Sequence, residues 1–207
     1  MHLTRTTAIL LFIFSNSLFA QQKIGSMLLL TPSLNNGVAN VKTNGSVAAS
    51  DGRIGYGLGI HYLQQAGKKF FLTLGGGLNS RGYKNVKSTY FDVPVSINYL
   101  AFKNYFTIGV GAYGGFALSG IYKTSAGKTK IKFGESATDN RSRTDAGFLI
   151  NMGFIDQTLG YLHLSLMLGQ KNVIPKDRQV ADEYRRLSTL VAAWSLPLKT
   201  FSKTAKK

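Results

Sequence analysis

Apolar side chains recur at every second position through eight segments of this chain. The opposite positions carry glycine or polar residues, except in the first segment, Ile24–Thr31, which is apolar on both faces and leaves its facing open. Side chains alternate between the two faces of a β-strand, so this period predicts strands with one apolar face and one small or polar face. In the clearest strand, Tyr105–Leu118, the apolar face consists of Phe106, Ile108, Val110, Ala112, Phe116 and Leu118. The other predicted strands are Ile24–Thr31, Arg53–Leu63, Phe71–Asn79, Tyr90–Leu100, Asp145–Phe154, Tyr161–Gly169 and Leu187–Leu198.

The connections between these strands alternate in length. The short ones are Gln64–Lys69, Phe102–Asn104 and Asp156–Thr158, and the long ones are Pro32–Gly52, Ser80–Thr89, Lys123–Thr144 and Gln170–Arg186. Tight turns that alternate with long loops between amphipathic strands are typical of a transmembrane β-barrel. We therefore predict an all-β fold, an eight-stranded antiparallel up-and-down transmembrane β-barrel in a bacterial outer membrane. The short turns and both termini would be periplasmic, and the long loops extracellular.

The start of the chain has the pattern of a secretory leader. A basic residue, Arg5, precedes the apolar run Ala8–Phe14, and Ala20 offers a small residue at a cleavage position. A run this short predicts a signal peptide rather than a spanning helix. We predict a signal peptide at 1–20, a barrel at 21–201 and a basic tail at 202–207. The chain has no cysteine, which excludes disulfides and thiolate metal sites.

A soluble barrel of the lipocalin type is the alternative fold. Such a barrel would have an apolar interior and a polar surface. Here one face of nearly every segment consists of Gly, Asn, Ser, His or Asp, while Leu and Phe fill the other. The strand lengths and loop alternation favour the arrangement in which the apolar face meets lipid.

Pro94 lies inside a predicted strand. Proline has no backbone N–H and loses a ladder hydrogen bond when a strand has two neighbours, as every strand of a closed barrel does. We therefore predict a β-bulge at Pro94, near the outer rim.

Two short motifs resemble the PorT-type outer-membrane β-barrel family of Bacteroidetes. The first is Tyr90-Phe91-Asp92-Val93-Pro94-Val95, which continues to Asn98-Tyr99, and the second is Arg143-Thr144-Asp145-Ala146-Gly147. The resemblance extends to the layout of the whole predicted barrel. It implies an eight-stranded barrel and, by analogy with the founding member, an accessory role in protein secretion or cell-surface export.

Several polar residues on the predicted inward faces form a candidate lumen network. Arg53, Asp92 and Asp145 lie near the outer rim, with Arg81 close to their level. A carboxylate pair could perform acid/base chemistry. An ion-pair network that plugs the lumen is the preferred interpretation, because buried charges must be paired.

A second inward set lies in the periplasmic half of the predicted barrel. Its members are His61, Asn98, Asn151 and His163. Two histidines could bind a metal ion, but the spacing matches neither HxH nor HExxH. A packed polar lumen fits an eight-stranded barrel better, since side chains just fill such an interior. We predict no catalytic residue, no metal site and no cofactor.

The formal net charge of +16 is concentrated in the long loops. The third loop carries Lys128, Lys130, Lys132, Arg141 and Arg143, which could contact the phosphates of lipopolysaccharide. A solvated, salt-screened loop surface is the equal alternative. Nucleic acid is excluded as a partner by the leader, so the expected partners are outer-membrane lipid, lipopolysaccharide and envelope or secretion proteins.

These patterns favour a non-enzymatic structural or interaction barrel. A small passive pore is the first alternative, which the glycine-rich inner faces favour. A lipid A-modifying enzyme is the second. Such an enzyme would place a His and a nucleophile near the membrane edge, whereas both candidate histidines, His61 and His163, face the deep lumen.

Overall fold

A computed structural model describes residues 25–43, 46–156, 158–179 and 183–201. The predicted leader 1–20 and tail 202–207 lie outside these residues. The strands are β1 (Ser26–Thr43), β2 (Ser46–Ala49), β3 (Arg53–Gln65), β4 (Phe70–Tyr83), β5 (Val86–Ala101), β6 (Phe106–Thr124), β7 (Gly127–Lys130), β8 (Thr144–Asp156), β9 (Gly160–Gly169) and β10 (Tyr184–Phe201). A helical turn α1 (Phe102–Tyr105) and a 3-10 turn (Lys176–Arg178) complete the elements in these ranges. No helix within the described ranges has the length and apolarity needed to cross a membrane.

Eight long strands close into a barrel. They pair antiparallel in the order β1, β3, β4, β5, β6, β8, β9, β10, and β10 pairs back with β1. The short strands β2 and β7 add to β1 and β6 beyond the ring. Closure leaves the ring without a free edge. The predicted fold, an all-β eight-stranded antiparallel up-and-down barrel, is confirmed.

Two of the four predicted long loops, Pro32–Gly52 and Ser80–Thr89, are largely strand. β1 continues to Thr43, and β4 and β5 are joined by the two-residue turn Lys84–Asn85, so most of the predicted loop Ser80–Thr89 belongs to a hairpin. β6 likewise reaches Thr124 before the short hairpin to β7. The boundaries were wrong because polar residues occupy both faces of these extensions, which erases the period-two pattern.

The facing of the strands agrees with the sequence pattern. On β3 the exposed residues Ile54, Tyr56 and Leu58 alternate with less exposed glycines. On β9 Leu162, Leu164 and Leu166 are exposed, whereas the residues between them are buried. The pattern of β1 is also resolved, because Met27, Leu29, Thr31 and Asn35 are buried on its inner face.

The predicted bulge at Pro94 is wrong. The β4–β5 register is the same on both sides of Pro94, at Leu74↔Val95 and at Gly77↔Asp92, and only the pairing between these points is interrupted. The ladder therefore tolerates the missing proline N–H by a local gap rather than by an extra residue. The register shift between β5 and β6 falls at Thr89/Tyr90 instead, nearer the outer rim.

Candidate functional site: the closed lumen and the basic rim

The short-turn end of the lumen is filled by apolar side chains, here called the lower plug. Its members are Met27, Leu29, Leu63, Phe71, Leu100, Ile155 and Tyr161, all buried. The rings of Phe71 and Tyr161 meet edge to face with centroids 6.0 Å apart. Thr107 Oγ1 donates to the Tyr161 hydroxyl oxygen at 3.1 Å, which satisfies the polar end of that side chain. The lower plug therefore closes this end of the barrel by packing.

A buried ion triad crosses the upper lumen. Arg81 Nη2 lies 2.6 Å from Asp92 Oδ1, and Arg81 Nη1 lies 2.9 Å from Asp145 Oδ2. All three side chains are at most 1% exposed. The triad joins β4, β5 and β8 across the barrel, and breaking a buried pair of this kind costs about 3–5 kcal/mol.

Neighbouring side chains contact and shield the triad. Asn79 Nδ2 donates to Asp92 Oδ2 at 2.9 Å, and the Tyr113 hydroxyl donates to Asp145 Oδ2 at 3.1 Å. The Arg81 guanidinium stacks 4.2 Å from the centroid of the Tyr90 ring. Aromatic faces and carboxylates thus surround the cation and stabilise its charge.

Arg81, rather than Arg53, is the cation between the two predicted carboxylates. Arg53 lies half-buried at the rim, where its Nη1 donates to the Lys84 carbonyl oxygen at 3.5 Å. The period-two pattern of this strand ends at Asn79, so the sequence predicts Arg81 in a loop, whereas β4 continues to Tyr83. Continuing the inward parity of Phe71, Thr73 and Asn79 by one step would have put Arg81 inside.

A small cavity of about 70 Å³ lies below the triad. Its lining includes both predicted histidines, His61 and His163, whose rings stack with centroids 6.3 Å apart and planes 20° from parallel. Thr31 Oγ1 hydrogen-bonds to His61 Nδ1 at 3.3 Å and donates to Ser195 Oγ at 2.8 Å. Within the described ranges no group of three or more His, Cys, Asp and Glu side chains is placed to hold a metal ion.

The two predicted asparagines meet beside Gly109. Asn98 Nδ2 and Asn151 Nδ2 both donate to Ser96 Oγ, at 3.1 and 3.2 Å. Their Oδ1 atoms point at Gly109, where a Cβ atom would collide with both. The polar layer therefore requires a residue without a side chain at this position on β6.

The upper end of the lumen has a roof of apolar side chains. Its members are Ala39, Tyr83, Val86, Tyr90, Ala117, Val173 and Leu187, with Val41, Ile131 and Phe133 packed against them. Arg141 is inserted into this roof and is 4% exposed. Its Nη1 donates to Ser88 Oγ at 3.3 Å, and its guanidinium lies 5.5 Å from the Tyr83 ring centroid.

Burial removes Arg141 from the predicted lipid-binding set. Its guanidinium points inward and would not meet a lipid headgroup. The other members, Lys128, Lys130, Lys132 and Arg143, are exposed at the rim. The sequence alone could not separate Arg141 from Arg143. The two are two residues apart, which is the spacing of neighbours on one face of a strand, so the pattern predicts the same facing for both.

The loop carboxylates near these cations are engaged locally. The Ser142 hydroxyl donates to Glu135 at 2.5 Å and lowers the pKa of that carboxyl below its ordinary value. Ser136 donates to Asp139 Oδ2 through its hydroxyl at 2.8 Å and its backbone N–H at 3.0 Å, which lowers the pKa of Asp139. Both carboxylates are therefore ionised at neutral pH. Asp139 is held within its own loop, whereas Glu135 also accepts from the Lys176 backbone N–H at 3.1 Å and so joins the two loops.

Three solved structures share a distant likeness with the chain. The attachment invasion locus protein Ail of Yersinia pestis is 12% identical, with a TM-score of 0.38, and the match covers 84% of this chain and 100% of Ail. Neisserial surface protein A is 8% identical, with a TM-score of 0.47 and coverage of 83% and 98%. OprG of Pseudomonas aeruginosa is 10% identical, with a TM-score of 0.43 and coverage of 85% and 95%.

No family model matches the chain, and no curated protein matches it. The structural similarities are too distant to assign a family. The fold assignment rests on the strand pairing of the chain itself, and membership of the PorT-type family stays a prediction.

Proposed function

We propose that the protein is an integral outer-membrane β-barrel with a closed lumen that acts as a structural or interaction protein. The observation that carries this proposal is the filling of the lumen. The lower plug closes one end, and the triad of Arg81, Asp92 and Asp145 lies beneath an apolar roof at the other. Between them lie the polar layer around Asn98 and Asn151 and a cavity of about 70 Å³.

The outer surface supports the membrane location. Large apolar side chains are exposed on every long strand, including Ile54 at 79% and Phe148 at 61%. An apolar surface that continues around a closed barrel would be insoluble in water but is suited to lipid. We place the short turns, the start of β1 and the end of β10 in the periplasm. The long hairpins then lie outside the cell.

A passive pore agrees poorly with this lumen. Water would have to pass the lower plug, whose seven side chains pack together, and then the buried charges of the triad. Eight-stranded barrels generally have interiors that side chains fill. In planar bilayers we expect the refolded protein to show no steady conductance, with a porin as positive control. A steady open conductance would contradict the closed-lumen proposal.

A lipid A-modifying enzyme also agrees poorly with the geometry. His61 and His163 stack against each other inside the barrel, where His163 is buried and His61 is half-buried, on the face opposite the apolar outer surface. A general base must reach its substrate within hydrogen-bond distance or through one water. We expect mass spectra of lipid A to be the same with and without the gene, and a changed acyl pattern would contradict the non-enzymatic assignment.

The accessory role in secretion or envelope maintenance rests on the family resemblance, which is an analogy of fold. Its test is an affinity pull-down of the tagged protein from outer membranes in mild detergent. We expect envelope or secretion proteins to co-purify in stoichiometric amounts. Recovery of the barrel alone with lipopolysaccharide would contradict that role and leave a free-standing barrel.

A further inference from the structure

A groove of about 730 Å³ lies on the outer wall at the long-hairpin end. It is formed by β5, β6, β7 and the segment that follows β7. Phe133 and Ile131 pack directly against the backbone of Gly120, where a Cβ atom would come within 3.0 Å of both side chains. Ile131 and Phe133, which also pack against the roof, therefore form the apolar side of the groove where it borders the upper end of the lumen.

The charged residues that line the groove are mostly cations. They are Lys87, Lys130, Lys132 and Arg143, against one carboxylate, Asp139. That carboxylate already accepts two hydrogen bonds from Ser136. Asp139 interacts electrostatically with Arg143 and Lys132 and offsets part of their charge. With four cations against one carboxylate, the groove keeps a net positive charge.

One of these cations has a defined position. Arg143 Nη2 donates to the Phe133 carbonyl oxygen at 3.0 Å, and its guanidinium lies 5.6 Å from the centroid of the Phe116 ring. The remaining guanidinium donors can meet a planar or tetrahedral oxyanion without a large loss of side-chain entropy. Arginine in such a setting is well suited to phosphate.

The groove also lies at the border of the apolar outer surface. Phe116 and Leu118 on β6 are 43% and 54% exposed, and Leu118 lines the groove as well. Immediately beyond them the outer wall becomes polar and basic. A ligand with an anionic head and apolar chains would match both parts at once.

We propose that this groove binds the phosphorylated headgroup of an anionic outer-leaflet lipid, with the acyl chains lying on Phe116 and Leu118. The inference rests on the proposed membrane placement, which puts the long hairpins at the outer leaflet. It keeps Lys130, Lys132 and Arg143 from the predicted lipid-binding set and adds Lys87. Lys128 lies outside the groove, and Arg141 is buried in the roof.

The test compares two triple variants of the full chain in zwitterionic detergent. The groove variant is Lys130→Ala/Lys132→Ala/Arg143→Ala. The control, Lys123→Ala/Lys128→Ala/Lys176→Ala, removes the same charge from exposed residues at the same end that do not line the groove. The probe is fluorescent diphosphorylated lipid A, titrated at fixed salt, with its dephosphorylated form in parallel.

We expect the groove variant to raise the Kd for lipid A by about tenfold or more, because several charge-assisted phosphate contacts are lost. The control should stay within about threefold of the wild type, since exposed charges outside the groove are screened. A second variant, Lys130→Glu/Lys132→Glu, keeps Arg143 and its contact with Phe133 and should weaken binding at least as much.

Three results would overturn the inference. They are equal losses of lipid A affinity in the groove and control variants, equal binding of dephosphorylated lipid A, and full displacement of the lipid by inorganic phosphate alone.

Bilayer insertion of the same preparations separates the inference from the proposed membrane placement. If insertion fails, the membrane placement and the inference both fail. If insertion is normal and the groove variant binds as the wild type does, only the inference fails.

Discussion

The two faces of each barrel strand have opposite chemistry, and they differ in which substitutions they tolerate. On β9 the outer residues Leu162 and Leu164 are large, apolar and exposed, whereas the inner residues His163 and Ser165 are polar and buried. The outer face needs only to be apolar, because lipid adapts to its shape. The inner face must hold its polar side chains, most of them hydrogen-bonded, within a fixed volume, so its requirements are specific to each residue.

The largest expected effect is on the inner face, at Arg81→Ala. This substitution leaves the carboxylates of Asp92 and Asp145 buried without their cation and should cost about 3–5 kcal/mol of unfolding free energy. Reversible urea unfolding in detergent micelles measures it. Arg53→Ala at the rim is the matched control and should change stability by less than about 0.5 kcal/mol, as exposed substitutions usually do.

A triple replacement shows whether charge or packing is needed in the triad. Arg81→Met/Asp92→Asn/Asp145→Asn removes all three charges together. We expect it to recover most of the stability lost in Arg81→Ala, since replacing a whole buried ion group is often neutral. A triple variant as unstable as Arg81→Ala would show that the inner face depends on these ions in a way that pairing alone does not explain.

The outer face should respond most strongly to charge. Leu164→Arg places a cation at mid-strand on the lipid face and should cost about 2–4 kcal/mol, as such substitutions do at the bilayer midplane. Leu164→Met preserves the apolar surface and should be nearly neutral. Refolding into lipid vesicles followed by urea unfolding measures both. If arginine were tolerated at Leu164 as well as at the exposed rim residue Lys128, the assigned facing would be wrong.

Two glycines of β6 give a direct comparison of the faces at the level of one methyl group. At Gly109, on the inner face, a Cβ atom would collide with the amide oxygens of Asn98 and Asn151, whereas at Gly114, on the outer face, it would meet no atom within 4 Å. Gly109→Ala should therefore cost about 1–3 kcal/mol by overpacking. Gly114→Ala should be neutral or stabilise by up to about 1 kcal/mol, because alanine has less freedom in the unfolded chain. Equal effects in the same urea assay would contradict the packing of the inner layer.

The sequence predicts the part of this molecule that the period-two pattern covers. The number, order and facing of the strands follow from the alternation of apolar and polar residues. A strand whose two faces have different surroundings needs a different class of residue on each face, and so shows this alternation. The pattern also placed Asp92 and Asp145 on the inner face. It failed at Arg81, because beyond Asn79 both faces of the strand are polar and the end of β4 left no signal.

Contacts between segments distant in sequence were also beyond the pattern. Arg141 and Arg143 are two residues apart, yet one is buried beneath the roof and the other lines the outer groove. Their difference depends on how the segment after β7 folds over Tyr83 and Phe116. The groove itself combines three strands and a loop, so no local stretch of sequence describes it.

The smallest expected effect is at the rim, which belongs to neither face. Glu135 accepts from Ser142 and lies 3.7 Å from Lys171 Nζ, and its pKa is lowered chiefly by the serine hydroxyl. Because the folded-state pKa is depressed, the contribution is present above the ordinary glutamate pKa and disappears as the pH falls through the folded-state value. Glu135→Gln should therefore lower the free energy of unfolding by at most about 1 kcal/mol at neutral pH, as the loss of an exposed pair does. The decrease should be smaller in acid, and the same urea assay at both pH values measures it. A difference between wild type and variant that grew on acidification would show that the carboxylate acts at the rim in its protonated form.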